Sequence, residues 1–295
     1  ARRIIDMASK AATSAGAIAT RWVLRIFLYF WILTILFPLY WMLATSLKGT
    51  QYFIAGDLWG WPSRIFIRNY IVAWVDMSFS RYVLNTLLVD VLTVALFVLM
   101  LTTTSYILGK YVCRITKVAS AFYFFVMMIP GILLLVPLYT FVKDLGVPTD
   151  NLIVLAVVYA AQALPAPVFL LTGFVKSIDK SFIEAAWIDG ANEWYIYSRI
   201  VLPFVRPVVL FMCLTQFMGT WNEYLTALTF LGTSDGKWTL SVGIQKLVAK
   251  YTYTNSGDYG VIFAGLVISI IPIVILYILF QKQIQNGTDM SEGIK

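Results

Sequence analysis

Six stretches of about 20 mostly apolar residues set the terms for this chain, because that length crosses a lipid bilayer as a helix. They lie near 26–45, 85–108, 119–141, 152–172, 207–228 and 260–280. Each is apolar all round rather than along one stripe, so none reads as the half-wet helix of a soluble domain. Hydrophobic residues make up 60% of the 295 and charged residues 13%, whereas soluble domains carry about a quarter charged. A soluble enzyme, a disordered chain and a free nucleic-acid binder are poor fits. The expected fold class is all-α, with six transmembrane helices in one domain spanning 1–295.

The net charge of +7 has a topological explanation. With the N-terminus inside the cell, segments 1–25, 109–118, 173–206 and 281–295 face the cytoplasm and hold 14 Lys and Arg over 84 residues. The outer segments 46–84, 142–151 and 229–259 hold 8 over 80 residues. This excess, strongest at Lys110, Arg114 and Lys117, follows the positive-inside rule and places both termini in the cytoplasm. No nucleic-acid partner is needed to account for it. The N-terminal stretch is small and basic without an apolar signal core, and reads as a cytoplasmic tail over 1–25. The long outer segment 46–84, with Trp59, Trp61, Tyr70 and Trp74, reads either as an interfacial aromatic belt or as a docking surface.

Catalytic chemistry finds little footing. His is absent, and Cys113 and Cys213 stand alone. Without His the usual general base, proton shuttle and commonest metal ligand are missing. Neither a zinc site nor a disulfide framework is expected. No GxxxxGK[ST] phosphate loop occurs, so no ATP site of that kind is expected here. The expected reading is a non-enzyme with no catalytic residue, no metal and no cofactor of its own.

One inner loop is organised differently. Ser181 and Glu184 have capping-box spacing and predict a helix from Ser181 to about Ile188. Gly190 supplies a residue able to take positive φ at its end. Asn192 is placed to cap a second short helix, with Glu193 in its first turn. Pro203 is expected to stop that helix. Ala185, Ala186 and Ala191 keep the elbow thin, while Trp187, Ile188, Trp194 and Tyr197 give it an apolar side. Such a projection suits either a groove on a soluble protein or the membrane surface.

Glu184-Ala185-Ala186, three residues, Gly190, nine residues, Ile200, one residue and Leu202-Pro203 resemble the EAA loop of bacterial ABC importer permeases. Every fixed position of EAA-x3-G-x9-I-x-L-P is met. The form with Asp189 and Ala191 flanking Gly190 is typical of sugar importers. Leu164-Pro165, Pro137-Leu138-Tyr139, Trp221-Asn222-Glu223-Tyr224 and Thr239-Leu240 extend the resemblance to the smaller, six-span permease of the maltose-importer type, in carbohydrate uptake transporter subfamily 1.

The resemblance implies a type I importer permease in the bacterial inner membrane. A second homologous permease would complete the pathway, surrounded by membrane lipid. A dimer of ATPase subunits would bind ATP and magnesium. An extracytoplasmic sugar-binding protein would deliver the cargo. It further implies that Glu184, Ala185, Ala186, Asp189, Gly190, Ala191, Ile200, Leu202 and Pro203 form the coupling element against the ATPase. Tyr253, Thr254, Asn255, Ser256, Gly257 and Asp258 would form a loop reaching the binding protein. Asn286-Gly287-Thr288 and Gly293-Ile294-Lys295 resemble the family's C-terminal tail, although Asp289 and Glu292 make this one more acidic. Importers of amino acids, phosphate or ions share the loop, so a non-sugar cargo is the first alternative. A secondary transporter or a membrane enzyme is more remote.

Intramembrane polar groups are functional hypotheses by default. Gln216, Trp221, Asn222, Glu223 and Tyr224 form a candidate pathway cluster, Gln216 sitting two turns before Glu223 on roughly the same face. The alternative is that Glu223 holds two helices together. Asp90 is expected to snorkel or to pair helices, and Gln162 faces either the pathway or a neighbouring helix. Pro130, Gly131 and Pro137 predict a kink in the third span. Thr102, Thr103, Thr104 and Ser105 read equally as packing glue and as pathway lining.

Overall fold

The computed structural model describes residues 15–232, 234–253 and 258–292. Among these the chain is almost entirely helical. In chain order the α-helices are α1 (Ala15–Ser46), α2 (Thr50–Ile54), α3 (Arg68–Ile71), α4 (Phe79–Lys110), α5 (Arg114–Met127), α6 (Gly131–Asp144) and α7 (Leu152–Ala163). There follow α8 (Pro165–Lys176), α9 (Lys180–Ile188), α10 (Glu193–Tyr195), α11 (Leu202–Asn222), α12 (Leu225–Leu231), α13 (Leu240–Tyr253) and α14 (Tyr259–Glu292). Two π-helical turns, Val72–Asp76 and Ile196–Val201, precede α4 and α11.

Four apolar helical runs are long enough to cross a membrane singly: Thr20–Ser46, Phe79–Lys110, Glu193–Asn222 and Tyr259–Gln281. The expected third and fourth spans are broken rods. α5 and α6 meet at 110°, and α7 and α8 at 53°, giving six spans if each pair counts as one. Proline accounts for both breaks. Pro130 caps α6 and Pro165 opens α8, where the missing N–H costs nothing but the preceding helix cannot run through. The fifth span ends earlier than expected, at Asn222, and α12 starts afresh at Leu225.

The chain divides into two compact units. The first is Ala1–Ala73 with Tyr251–Val267. Its polar pivot is Lys48, fully buried, whose ammonium donates to the carbonyl of Asp57 at 2.8 Å. The Asn69 amide donates to the carbonyls of Ser46 and Lys48, each at 2.8 Å. Around α1 the aromatics of the long segment pack in pairs. Trp59 stacks on Phe37 with ring centres 6.1 Å apart, and Trp41 donates its indole N–H to Leu58 at 2.8 Å. Trp59 and Trp61 remain largely exposed.

The second unit is Trp74–Lys250 with Ile268–Lys295. Its core lies along α4. Phe97 and Leu101 pack with Val168, Leu171 and Val201 in one cluster. Val89 packs with Leu155, Ala156, Phe230 and Val242 in another. Lipid supplies no hydrophobic drive between helices, so close packing and interhelical hydrogen bonds hold them. Thr93 bonds the carbonyl of Ala156 at 3.3 Å, Ser105 that of Val168 at 3.4 Å, and Thr102 the hydroxyl of Tyr197 at 2.7 Å. Thr103 instead bonds back to Leu99 on its own helix at 2.6 Å. Asp90 does not snorkel. Its side chain is fully buried within α4, and its carboxylate oxygens have no hydrogen-bond partner among the described residues.

Candidate functional site: a helical elbow

The loop between α8 and α11 folds into two helices at a tight turn. Asp179, with an extended backbone at φ −61° and ψ 127°, caps α9 by accepting from the Ser181 N–H at 3.0 Å. The expected Ser181–Glu184 capping box is therefore replaced. α9 begins at Lys180, so Ser181 already lies inside the first turn, where its hydroxyl no longer serves as a cap. The Ser181 N–H holds the Asp179 carboxyl below the usual aspartate range.

The far end of α9 closes as a Schellman turn. Gly190 takes φ +80° and donates its N–H to Trp187 at 3.0 Å, while Ala191 donates to Ala186 at 2.9 Å. Asn192 then caps α10, accepting from the Tyr195 N–H at 2.8 Å. This matches the expected order of helix, glycine turn and capped helix.

Pro203 behaves differently from expectation. It does not end the structure; it sits in the first turn of α11, where its missing N–H is tolerated. The chain reaches it through the π-helical turn Ile196–Val201, whose extra residue per turn re-registers the helix. α10, the π turn and α11 form one continuous run from Glu193 to Asn222. The second arm of the elbow is thus the end of a spanning helix.

Glu184, Ala185, Asp189 and Gly190 are exposed, and a cavity of about 530 Å³ opens beside them, lined by Phe182, Ala185, Ala186, Gly190, Ala191 and Arg199. Ile200 packs into the core beneath, and Leu202 opens α11. The elbow is moored to α4 by side chains that its own sequence did not reveal. Lys110 forms an ion pair with Glu193, and Tyr106 donates to the same carboxylate oxygen at 2.7 Å. The partners stand more than eighty positions apart in the chain, so only the charge of the short basic loop hinted at a contact.

The candidate pathway residues make separate contacts. Trp221 is buried and donates its indole N–H to Ser269 at 3.2 Å. Gln216 donates to Thr220 at 2.9 Å, and the exposed Asn222 donates to Met218 at 2.7 Å. Glu223 accepts from the Tyr159 hydroxyl and from the backbone N–H groups of Thr226 (2.8 Å) and Ala227 (3.1 Å), so it joins α7 to the start of α12. Tyr224 packs on the apolar cluster around Phe230. Gln162 is exposed in an apolar cavity of about 940 Å³ bordered by α5 to α8.

Of the loop expected to reach a binding protein, Tyr253 ends α13 and Asp258 accepts from the Thr50 hydroxyl. Thr254, Asn255, Ser256 and Gly257 lie outside the described residues, as do 1–14 and the tail residues Gly293, Ile294 and Lys295.

Comparison with known proteins agrees with this architecture. The family described as binding-protein-dependent transport system inner membrane component matches residues 102–289. The chain is 29% identical to the diacetylchitobiose uptake system permease protein NgcG of Streptomyces coelicolor, over 90% of this chain and 86% of the relative. It is 30% identical to the melibiose/raffinose/stachyose import permease protein MelC of Bacillus subtilis, over 85% of this chain and 88% of the relative. A chain in the crystal structure of a bacterial ABC transporter involved in the import of the acidic polysaccharide alginate superimposes with a TM-score of 0.80. That match has 24% identity over 91% of this chain and 98% of the other, and it shares the fold.

Proposed function

The chain belongs to the family of binding-protein-dependent transport system inner membrane components, and from that premise we propose that it is the smaller permease subunit of an ATP-driven importer of a sugar or oligosaccharide. Members of this family are transport components of the membrane, and the chain is a multi-pass, non-enzymatic transport subunit. Relatives named for diacetylchitobiose and for melibiose, raffinose and stachyose support a saccharide cargo.

The observation that carries the coupling role is the elbow itself. Its face of Glu184, Ala185, Asp189 and Gly190 is exposed, both its arms are capped, and its second arm continues through the π turn into a spanning helix. A push on that face passes through the closed turn at Gly190 into α10 and α11. In the proposed orientation both termini and the elbow face the cytoplasm of the inner membrane. The ATPase dimer holds ATP and magnesium, closes on binding them, and draws this elbow towards that of the second permease. The pathway then opens outward to a sugar-binding protein. The segment from Tyr253 to Asp258 is proposed to meet that protein, and Gln216, Trp221, Asn222, Glu223 and Tyr224 to border the pathway, as lining or as its structural support.

Reconstitution of the chain with its second permease and ATPase tests the reading. The readout is ATP hydrolysis stimulated by the binding protein across a panel of neutral and acidic oligosaccharides. Stimulation by at least one saccharide, lost on Glu184→Lys or Gly190→Pro, is expected. Stimulation only by amino acids, phosphate or ions overturns the cargo assignment, and full stimulation in both variants overturns the coupling assignment.

A further inference from the structure

α4 is fastened at both ends. At one end Lys110, its last residue, touches both arms of the elbow. The ammonium pairs with Glu193 in α10, donates to the Tyr106 hydroxyl at 2.9 Å, and lies 4.7 Å from the centre of the Trp187 ring in α9. In this pair the Lys110 side chain is 5% exposed and that of Glu193 50%, so the lysine is packed under protein while its partner carboxylate faces solvent. Two turns back along α4, the Thr102 hydroxyl bonds Tyr197 in the π turn at 2.7 Å.

At the other end Asn85 donates to the carbonyls of Gly236 (3.1 Å) and Trp238 (3.0 Å). The Thr86 hydroxyl accepts the Leu240 N–H at 2.8 Å, where α13 begins. The Tyr82 ring fills the space beside Gly243, where any added Cβ would strike it. The start of α13 is thus bolted to α4.

Between these anchors run 25 residues, about 37 Å of helix. α4 has no proline, whereas α1, α6, α11 and α14 each contain an internal one. Prolines and broken pairs are where helices bend; α4 has neither.

We propose that α4 is the transmission strut of this subunit, linking the elbow to the 236–240 segment that mounts α13, with Lys110 as the positioning residue that clamps both arms of the elbow to it. The proposal rests on the elbow being the ATPase contact. Movement of the elbow shifts α4 along its length and displaces α13 on the opposite membrane face. Contact of a binding protein with that face returns along the same rod.

The test uses the complete reconstituted complex, with Cys113 and Cys213 replaced by Ser and Ala and a reporter cysteine introduced by Gln245→Cys on the exposed face of α13. A membrane-impermeant maleimide reports how MgATP with vanadate changes labelling there. Lys110→Met is expected to cut that nucleotide-dependent change at least about threefold, within the range by which coupling variants act, while basal hydrolysis continues. Asn85→Ala is expected to do the same from the other end. The exchanged pair Lys110→Glu with Glu193→Lys restores the ion pair but not the contact with the Trp187 ring, and is expected to recover part of the response. An undiminished response in both Lys110→Met and Asn85→Ala overturns the strut. So does a response lost only in proportion to hydrolysis, or an exchanged pair that assembles and hydrolyses ATP but stays unresponsive. Failure of the underlying reading is distinguishable, since Glu184→Lys and Gly190→Pro would then leave stimulated hydrolysis intact, whatever the labelling in the α4 variants.

Discussion

Ala191 donates its backbone N–H to the carbonyl of Ala186 at 2.9 Å, closing α9 across the left-handed turn at Gly190. The fixed spacing of the loop is the spacing of this bond. Ala186 is the third residue from the end of the helix, Gly190 the residue beyond its cap, and Ala191 the next, as a Schellman turn requires. Small side chains at 186 and 191 let the two arms meet, and both sit against the core beneath. The sequence pattern therefore encodes a shape: a blunt, closed helix end with its outer face free.

Gly190→Ala isolates the backbone requirement. An added Cβ would meet no atom within 4 Å, so the cost is the left-handed conformation alone, about 1–2 kcal/mol. The variant is expected to assemble in normal amount but to respond more weakly to the binding protein. Copurified ATPase and stimulated hydrolysis, measured on the same preparation, check this.

Asp179 gives the elbow a pH dependence of known sign. The Ser181 N–H lowers its pKa, so its contribution is complete above the unfolded aspartate value, about 3.9, and is lost as pH falls through the lower folded value. Hydrogen exchange of a peptide covering 180–188, corrected for intrinsic rates, is expected to stay slow from neutral pH to about pH 4 and to quicken below it. Asp179→Ala should show fast exchange throughout.

Glu223 and Tyr159 offer a thermodynamic test of a helix-joining role. Glu223→Ala strips two backbone donors and a hydroxyl of their acceptor and is expected to cost about 2–3 kcal/mol, the scale of hydrogen bonds to charged groups. Tyr159→Phe removes one bond and should cost about 1 kcal/mol. Denaturation in detergent checks both, and a double-mutant cycle should show strong coupling.

Gly109 lets α4 approach α8 closely. A Cβ there would lie 2.5 Å from Cγ1 of Val175, so Gly109→Ala is expected to destabilise by about 1–3 kcal/mol through overpacking. Val175→Ala in the same chain should recover most of it. Thermal unfolding of the three variants reads the result.

Local chemistry was legible in the sequence, and distant pairing was not. Gly190, Asn192 and the end of α9 follow from turn and cap preferences within a few residues. Asp179 was missed because Asp179 and Ser181 are both good caps, and the choice depends on which backbone is extended. Pro203 was misread because proline stops a helix from within but opens one in its first turn, and a π turn leaves no periodic trace. The breaks at Pro130 and Pro165 were announced by proline, though their angles were not. Lys110 with Glu193, and Tyr159 with Glu223, are brought together only by the packing of α4 and α7. No hydropathy pattern carries that.

The central claim, that the elbow seats in a motor subunit, is most directly tested by photocrosslinking from Ile188, which is 86% exposed on α9. A benzophenone amino acid at that position, irradiated in membranes coexpressing the second permease and the ATPase, is predicted to form one adduct with the ATPase. Adducts confined to lipid would contradict the account.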